Sequence, residues 1–581
     1  MRQMSIEDAL GAGECFVYRH FSGDGETLVQ EFVFYKEGYM TVCLRVESDS
    51  VRTNYMAPVY YEGDGAPVKM DGKIRFLAAP FDNDKWARFV DYPIEYAAEG
   101  YEFTAVHAEG RRDGLVIGSI DHDTWKTGLK INGNAFQVYC GAATEDTRDL
   151  NGISHGYVTA ETVSSARIFL AGCADYQKGF RRFGDCNAAV KPALEWEGPV
   201  IFGWNSWAAL MGDLTLERYK EASDYMKTLK HTYCGEDGGQ YINFDAFWDH
   251  FSNKMQEAVA YVEGNGQFPG TYFCPFIAGG DFHQEVSGTR GNYCYEDILL
   301  KDHDGKVLPP VDGLYSLDTT HPGTLMHMEY ELDKIIRWGF RSIKTDFVGH
   351  GCREGAFYRP EITTGVQAYC FGMQHFTECL KKAPKPVFVS LSIAPVFPHG
   401  YGHARRISCD AFGSLDQSAY LNNCITYLWW MNDCLYRFND PDHIVTYKTY
   451  DKHSITLEEA RTRYHAGVIC GSLMITSDDY RMDQARERAG IILGNEKLNQ
   501  IARKGESFMP VSGEKGDQAA DCFVREDADG VKAAVFNYSI SDEKEMTVPL
   551  AKLGMTPKAV YAAEDLWTGE TVCIEGENLV L

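Results

Sequence analysis

Lys344-Thr345-Asp346 closes a strand-like run, Gly339-Phe-Arg-Ser-Ile-Lys-Thr-Asp346, and Asp410 closes a second one, Arg406-Ile-Ser-Cys-Asp410. A carboxylate at the C-terminal end of a barrel strand is where a (β/α)8 enzyme keeps its chemistry. Two such carboxylates, on strands two βα units apart, can face each other across one substrate. One then serves as nucleophile and the other as acid/base, the arrangement that cleaves a glycosidic bond. Alternate residues of a strand share a face, so Lys344 points the same way as Asp346. A lysine turned into a barrel mouth needs a partner; Asp346, Asp245 or a ligand can supply it. A plainer reading has each Asp cap the helix after its strand. The residues at neighbouring strand ends favour chemistry.

Those ends combine aromatic and hydrogen-bonding groups: Phe202-Gly-Trp-Asn-Ser-Trp207, Asn243-Phe-Asp-Ala-Phe-Trp248, Tyr272, Ser390-Leu-Ser392, Arg405-Arg406 and Asn439-Asp-Pro-Asp442. Sugars present apolar CH faces and dense hydroxyls, which aromatic platforms and Asp, Lys and Arg groups suit. Arg406 has the fork geometry to hold a carboxylate or two hydroxyls. Trp207, Trp248 and Tyr272 also read as ordinary barrel packing. His350, His399 and His403 fit no zinc spacing and read as solvated loop histidines.

The elements that must position these residues follow a strand–helix alternation after Lys191-Pro192. Candidate strands are Val200–Trp207, Tyr241–Trp248, Gly270–Phe276, Ser342–Val348, Val387–Ile393, Ile407–Phe412, Ile444–Tyr447 and Ser472–Thr476, with amphipathic segments such as Thr324–Trp338, Ser418–Arg437 and Leu457–Cys470 between most of them. This predicts a TIM barrel with an elaborated loop over 278–322. Before it, short β-branched and aromatic runs such as Glu31–Tyr35, Tyr39–Val46, Gly114–Ile120 and Ser165–Ala171 predict a large β-sandwich nearly free of helix. The β-pattern returns after Gly505, at Lys532–Tyr538, Thr547–Leu550 and Val560–Ala563. The expected architecture is multidomain: an N-terminal β-sandwich (1–192), a catalytic (β/α)8 barrel (193–495) and a small C-terminal β-domain (496–581).

Composition narrows the partners. With 44% apolar and 13% aromatic residues over 581 positions, the chain can bury several cores. A net charge of −27 without a basic run argues against nucleic acid and anionic membranes as partners. The start of the chain lacks a signal-peptide core, and no apolar stretch reaches the ~18 residues of a membrane span. The 17 scattered cysteines, with no CxxC, suggest reduced thiols in a cytoplasmic protein rather than a disulfide framework or zinc ribbon. A homo-oligomer is left open.

Taken together, the segments resemble glycoside hydrolase families 27 and 36, the clan of α-galactosidases, α-N-acetylgalactosaminidases and raffinose-synthase-like proteins. Phe202–Trp207 is similar to the clan's Gly-Trp-Asn-Ser-Trp opening and Tyr241–Trp248 to its second strand. Trp338–Asp346 resembles the strand ending Lys-x-Asp. Arg406-x-x-x-Asp410 resembles the acid/base segment, Phe438–Asp442 the Trp-Asn-Asp-Pro-Asp motif, and 466–479 the final barrel strand. The resemblance implies a retaining exo-α-glycosidase acting on an oligosaccharide or glycoside without metal or organic cofactor. Asp346 would be its nucleophile and Asp410 its acid/base. Trp207, Asp245, Trp248, Tyr272, Lys344, Ser392, Arg406 and Asp442 would bind substrate, with Arg406 near O2. Two departures bear on the sugar. Asp245-Ala246 stands where the galactosidases have Asp-Asp, a pair that holds O4 and O6. Ser390-Leu-Ser392 has small residues where a Glu and a bulky neighbour exclude a 2-acetamido group. The implied alternatives are an α-N-acetylgalactosaminidase, a β-L-arabinopyranosidase, a raffinose-synthase-like transglycosidase or an inactive carbohydrate-binding protein.

Overall fold

A computed structural model gives the architecture; it describes every residue except 23–24, 64–69, 83, 134, 144–152, 513–514, 558–559 and 575. Its centre is a parallel sheet of eight strands. They are β1 (Phe202–Asn205), β2 (Tyr241–Asn243), β3 (Phe268–Phe273), β4 (Ser342–Thr345), β5 (Phe388–Leu391), β6 (Ala404–Arg406), β7 (Phe438–Asp440) and β8 (Met474–Thr476). The strands β1 to β7 pair in sequence order, and β8 pairs with β1. A bridge from Asn439 to Ser472 joins β7 to the approach of β8. Parallel strands need crossovers, and helices such as Leu216–Thr228, Met255–Gly264, Pro322–Trp338, Gly365–Leu380, Leu415–Leu428 and Leu457–Ile469 supply them. Residues 392–403, between β5 and β6, carry no helix.

Two strands differ from the sequence reading. The sixth is Ala404–Arg406, not Ile407–Phe412, and the seventh is Phe438–Asp440, not Ile444–Tyr447. The apolar runs are the better strand formers in isolation, yet the register pairs Ala404, Arg405 and Arg406 with Phe438, Asn439 and Asp440. Burying two arginines there is tolerable because both are satisfied. Arg405 donates to the carbonyls of Ala394, Pro395 and Arg406, and Arg406 meets carboxylates.

Among its described residues the N-terminal part holds two antiparallel sheets, of ten and four strands. Val51, Phe76, Leu129, Val138 and Ile168 fill one apolar cluster between them. This part also contains a helix, Tyr176–Val190, where the sequence reading expected almost none. Its buried Tyr176, Phe180 and Phe183 recur at helical spacing, but two interior glycines obscure the pattern. The glycines are there for close packing: a Cβ on Gly184 would lie 2.7 Å from the Trp430 ring, and one on Gly179 2.6 Å from Cys173 Sγ. Phe183 meets Phe103 of the ten-stranded sheet and Trp430 beside the parallel sheet at ring distances of 6.0 and 5.7 Å, so this helix ties the two parts together. Helix Glu496–Arg503 packs Leu498, Ile501 and Ala502 into the large core. Beyond it, short antiparallel pairings from Met509 to Val580 share their own apolar cluster.

His350, His399 and His403 are buried, not solvated. Burial drives His399 and His443 down to about 3 and His403 and His465 down to about 4. His403 is already committed as a neutral ring, with Nδ1 accepting from the Val389 N–H at 2.9 Å. The unfolded chain takes up protons on these rings near pH 6.5 while the folded chain refuses them. Stability should therefore be lost as pH falls from about 6.5 towards the folded values, by about 1–2 kcal/mol per ring at pH 5.5. Carboxylates titrate lower, so the guanidinium midpoint should drop clearly between pH 7.5 and 5.5. An unchanged midpoint would contradict the neutral burial.

Candidate active site

Parallel pairing lays the polar residues abreast at the C-terminal edge of the sheet. Tyr272 on β3, Lys344 on β4 and Ser390 on β5 are register partners, as are Arg406 on β6 and Asp440 on β7. The chain then turns sharply. Phe247, Phe347, Ile393 and Asp442, each just beyond one of these strands, have φ of 71°, 52°, 46° and 67°. Left-handed backbone at non-glycine residues is held against a steric penalty, and such strain clusters at functional sites.

The side chains form one connected cluster. Lys344 Nζ donates to Asp245 Oδ2 at 2.8 Å and stands 3.7 Å from Asp346 Oδ2. Its ammonium lies 5.5 Å from the centre of the Tyr272 ring. Burial alone would disfavour that charge, but Asp245 and then Asp346 outweigh it and hold Lys344 protonated well above the ordinary lysine value. On the other side Arg406 donates from Nη2 to Asp410 Oδ1 at 2.7 Å, and its Nη1 lies 3.1 Å from Asp442 Oδ1. Burial again opposes the charge, and Asp442, Asp410 and Asp346 reverse its effect. Asp346 and Asp410 thus act electrostatically on both cations. They differ in depth: the Asp346 side chain is 9% exposed and the Asp410 side chain 30%. Asp346 Oδ1 accepts from the Phe347 N–H at 2.8 Å, and Trp207 Nε1 donates to Asp410 Oδ2 at 3.3 Å. Below them a cavity is lined by Asn205, Asn243, Lys344, Ser390, Arg406, Asp440, Asp442 and His443.

Most expected residues meet here; Trp248, Asp442 and Ser392 do not behave as expected. The Trp248 ring packs on Phe244 and Trp338, each at 6.4 Å, in an aromatic cluster reaching the helix Pro322–Trp338. Phe247 takes its place by stacking on Trp207 at 6.2 Å. Counted by alternation from Asp245, Phe247 falls on the side of the site and Trp248 on the other with Phe244, so the strand-end aromatic that reaches the site is Phe247. Asp442 is 3% exposed, and its carboxylate is engaged within the protein: Oδ1 faces Arg406, and Oδ2 accepts from the Ala411 N–H at 2.7 Å. Ser392 is fully buried, and its Oγ has no hydrogen-bond partner. Ala246 offers only its N–H, which donates to Asp245 Oδ1 at 2.9 Å.

Other residues escaped sequence reading. His443 follows the Asn439–Asp442 motif and stands within the cluster, 3.0 Å from Asp442. Cys274 lies where Asp346 and Tyr272 act on its thiol; burial first, and then Asp346, push it far above the usual range. Trp86 comes from the N-terminal part, is 54% exposed, and donates from Nε1 to the carbonyl of Asp410 at 2.9 Å. The neighbouring Lys85 stands 3.8 Å from Asp312 of the long β3–β4 loop. Among the described residues, no group of three or more His, Cys, Asp or Glu side chains has the geometry to hold a metal ion.

Comparison with known proteins fits this arrangement. Residues 517–580 match the alpha galactosidase C-terminal beta sandwich domain. A probable alpha-galactosidase A of Aspergillus flavus is 22% identical over 401 residues, 64% of this chain and 66% of its own length. The chain therefore spans just under two thirds of that relative. Among solved structures, the family 36 alpha-galactosidase AgaA of Geobacillus stearothermophilus superimposes with a TM-score of 0.67 at 11% identity, covering 98% of this chain and 82% of that one. A family 27 β-L-arabinopyranosidase of the same organism gives 0.51 at 16% identity, over 66% of this chain and 94% of its own. The fold is that of family 36-like glycoside hydrolases, multidomain and closed by a C-terminal β-sandwich domain. Its C-terminal region, its curated relatives and its fold are thus all similar to those of α-galactosidases of families 27 and 36.

Proposed function

We propose that this protein is a retaining exo-acting α-glycosidase of the α-galactosidase type. The observation that carries the reading is the pairing of two carboxylates with two buried cations in one cluster, Asp346 beside Lys344 and Asp410 on Arg406. Asp346, the deeper and less exposed, attacks the anomeric carbon and forms a glycosyl ester. Asp410, nearer to solvent, gives a proton to the leaving oxygen and then takes one from the water that releases the sugar. Asp245, Lys344 and Arg406 bond sugar hydroxyls, and Trp207 and Tyr272 line the ring. The eight-stranded sheet is read as a closed (β/α)8 barrel, supported by the β8–β1 pairing and the Asn439–Ser472 bridge. With an N-terminal sandwich and a C-terminal β-domain, divided near residues 192 and 495, it makes three units. The substrate is an oligosaccharide or glycoside. Seventeen free thiols suit a reducing, cytoplasmic setting. The test is a screen of nitrophenyl α- and β-glycosides covering galacto, N-acetylgalactosamino, gluco and L-arabino sugars, with the anomer of the first product followed by NMR. A first-formed product of inverted configuration, or turnover of none of them, would refute the reading; sugar binding without turnover would indicate a carbohydrate-binding protein.

Ala246 favours a second reading within the same chemistry. β-L-Arabinopyranosides share the ring stereochemistry of α-D-galactosides but lack the C6 hydroxymethyl group. A buried hydroxyl left without a partner costs on the order of 1–3 kcal/mol, so plain α-galactosides should be modest substrates. Ala246→Asp is expected to change the ranking among galacto, N-acetylgalactosamino and L-arabino substrates more than it changes kcat/KM on the best one. If the wild type is already a strictly selective, efficient α-galactosidase and the variant keeps its ranking, Asp245 suffices alone.

A further inference from the structure

We propose that Trp86, supplied by the N-terminal part, is the platform on which the leaving group stacks, and that the leaving group it fits is a second, uncharged sugar ring. The inference rests on the reading of Asp410 as acid/base, the residue that meets the leaving oxygen. The Trp86 Nε1 donates to the carbonyl of Asp410 at 2.9 Å, and Trp207 Nε1 donates to the carboxylate of the same residue at 3.3 Å. Trp207 in turn stacks on Phe247, 8° from parallel. Three aromatic side chains from three parts of the chain thus border Asp410. Trp86 is 54% exposed. The single polar atom of its indole, a donor only, is already taken by Asp410, so what it leaves open is apolar ring.

That ring is held firmly in place. Lys85 and Trp86 are both left-handed, with φ of 55° and 57°. Two successive non-glycine residues are therefore kept in a conformation that sterics disfavour. The anchors lie on either side. Phe89 is fully buried, stacks on Tyr427 at 5.4 Å, and exchanges two backbone hydrogen bonds of 3.0 Å with the Asn423 side chain. The Arg88 guanidinium lies 5.5 Å from the centre of the Tyr420 ring, whose hydroxyl accepts from the Cys409 N–H at 2.9 Å. Lys85 Nζ reaches to 3.8 Å from Asp312 of the β3–β4 loop. A ring ordered in advance loses little freedom when a ligand covers it. A pyranose matches it, with an apolar CH face for the indole and hydroxyls for the water beyond. An anionic leaving group would approach against Asp410 and a net charge of −27.

Leaving groups of equal chemical difficulty isolate this contact. A methyl glycoside and a disaccharide both release an alkoxide and both need the acid fully, but only the disaccharide carries a ring to stack. The experiment measures kcat/KM of the full chain on methyl α-D-galactoside, hexyl α-D-galactoside and galactose α-linked to the C6 hydroxyl of glucose, and on the matching β-L-arabinopyranosides, for wild type, Trp86→Leu and Trp86→Phe. The ratio of disaccharide to methyl rates does not depend on the fraction of molecules that fold. Binding energy from a part of the substrate remote from the breaking bond appears in kcat/KM. The wild type should prefer the disaccharide, and Trp86→Leu should lower the ratio about tenfold, the worth of one aromatic contact. Trp86→Phe keeps a flat ring on the same anchored backbone and gives up only the N–H, so it should retain most of the ratio. Leu keeps apolar surface without a flat face, so the hexyl-to-methyl ratio should change less than threefold. A disaccharide ratio that does not move in Trp86→Leu, or falls as far in Trp86→Phe, would overturn the proposal, as would an equal loss on the hexyl glycoside. Each of these leaves the glycosidase reading intact. A wild type that turns over no member of either set would overturn both.

Discussion

Asp346→Asn should lower kcat by at least ~10³-fold, because removing a covalent nucleophile removes the two-step route itself. The fold should survive. Asp346 is a partner of Lys344 at 3.7 Å, but Asp245 holds the same ammonium at 2.8 Å, so the cation keeps its closer carboxylate. Asn keeps the oxygen that accepts from the Phe347 N–H. Steady-state kinetics on the best glycoside, beside a thermal melt, decides the matter. A variant with more than a tenth of wild-type turnover would remove Asp346 from the role. A melt lowered as far as the rate would show that folding, not chemistry, had been lost.

Lys344→Met should be the next most damaging substitution, and its signature differs. The ammonium is the closest cation to two buried carboxylates, Asp245 at 2.8 Å and Asp346 at 3.7 Å. Breaking a buried pair by removing one partner costs about 3–5 kcal/mol, since the other charge is left uncompensated. The site can relieve this by taking up a proton in place of the lost ammonium. A protonated nucleophile cannot attack, so turnover near pH 7 should fall on the order of 10²–10³-fold, as when one pre-organised electrostatic partner is lost. The same argument fixes the sign of the pH response: the borrowed proton must leave before reaction, so the variant should regain activity as pH rises. A variant that loses activity equally at every pH would point to lost substrate contacts instead. One that is stable and active would show that Lys344 is dispensable.

Much of the site was legible because it rests on local rules. Lys344 and Asp346 are two apart on one strand, and period-two alternation sends both to the same face. The eight-stranded centre was legible from strand–helix alternation, and the C-terminal β-domain from the return of β-patterned segments. The errors begin where local propensity competes with tertiary pairing. Ile407–Phe412 and Ile444–Tyr447 look like better strands than Ala404–Arg406 and Phe438–Asp440. Only the facing carboxylates and carbonyls make burial of Arg405 and Arg406 tolerable. Trp248 was misplaced for a different reason: it shares its parity with Phe244, on which it packs, while Phe247 shares the parity of Asp245, so its aromatic type outweighed an alternation that already points it away from the site. Trp86 and Asp410 are brought together by packing of the N-terminal part on the parallel sheet, across 324 positions of chain. His443 has no spacing that marks it. Its place is defined by distance to Asp442 and Asp245, residues from two different strands. The sequence by itself determined which chemical groups stand at the strand ends, because side-chain alternation and strand–helix succession are properties of neighbouring residues. Only the tertiary structure decided which of them meet. Ion pairing, tautomer and exposure depend on groups that the chain brings together from far apart.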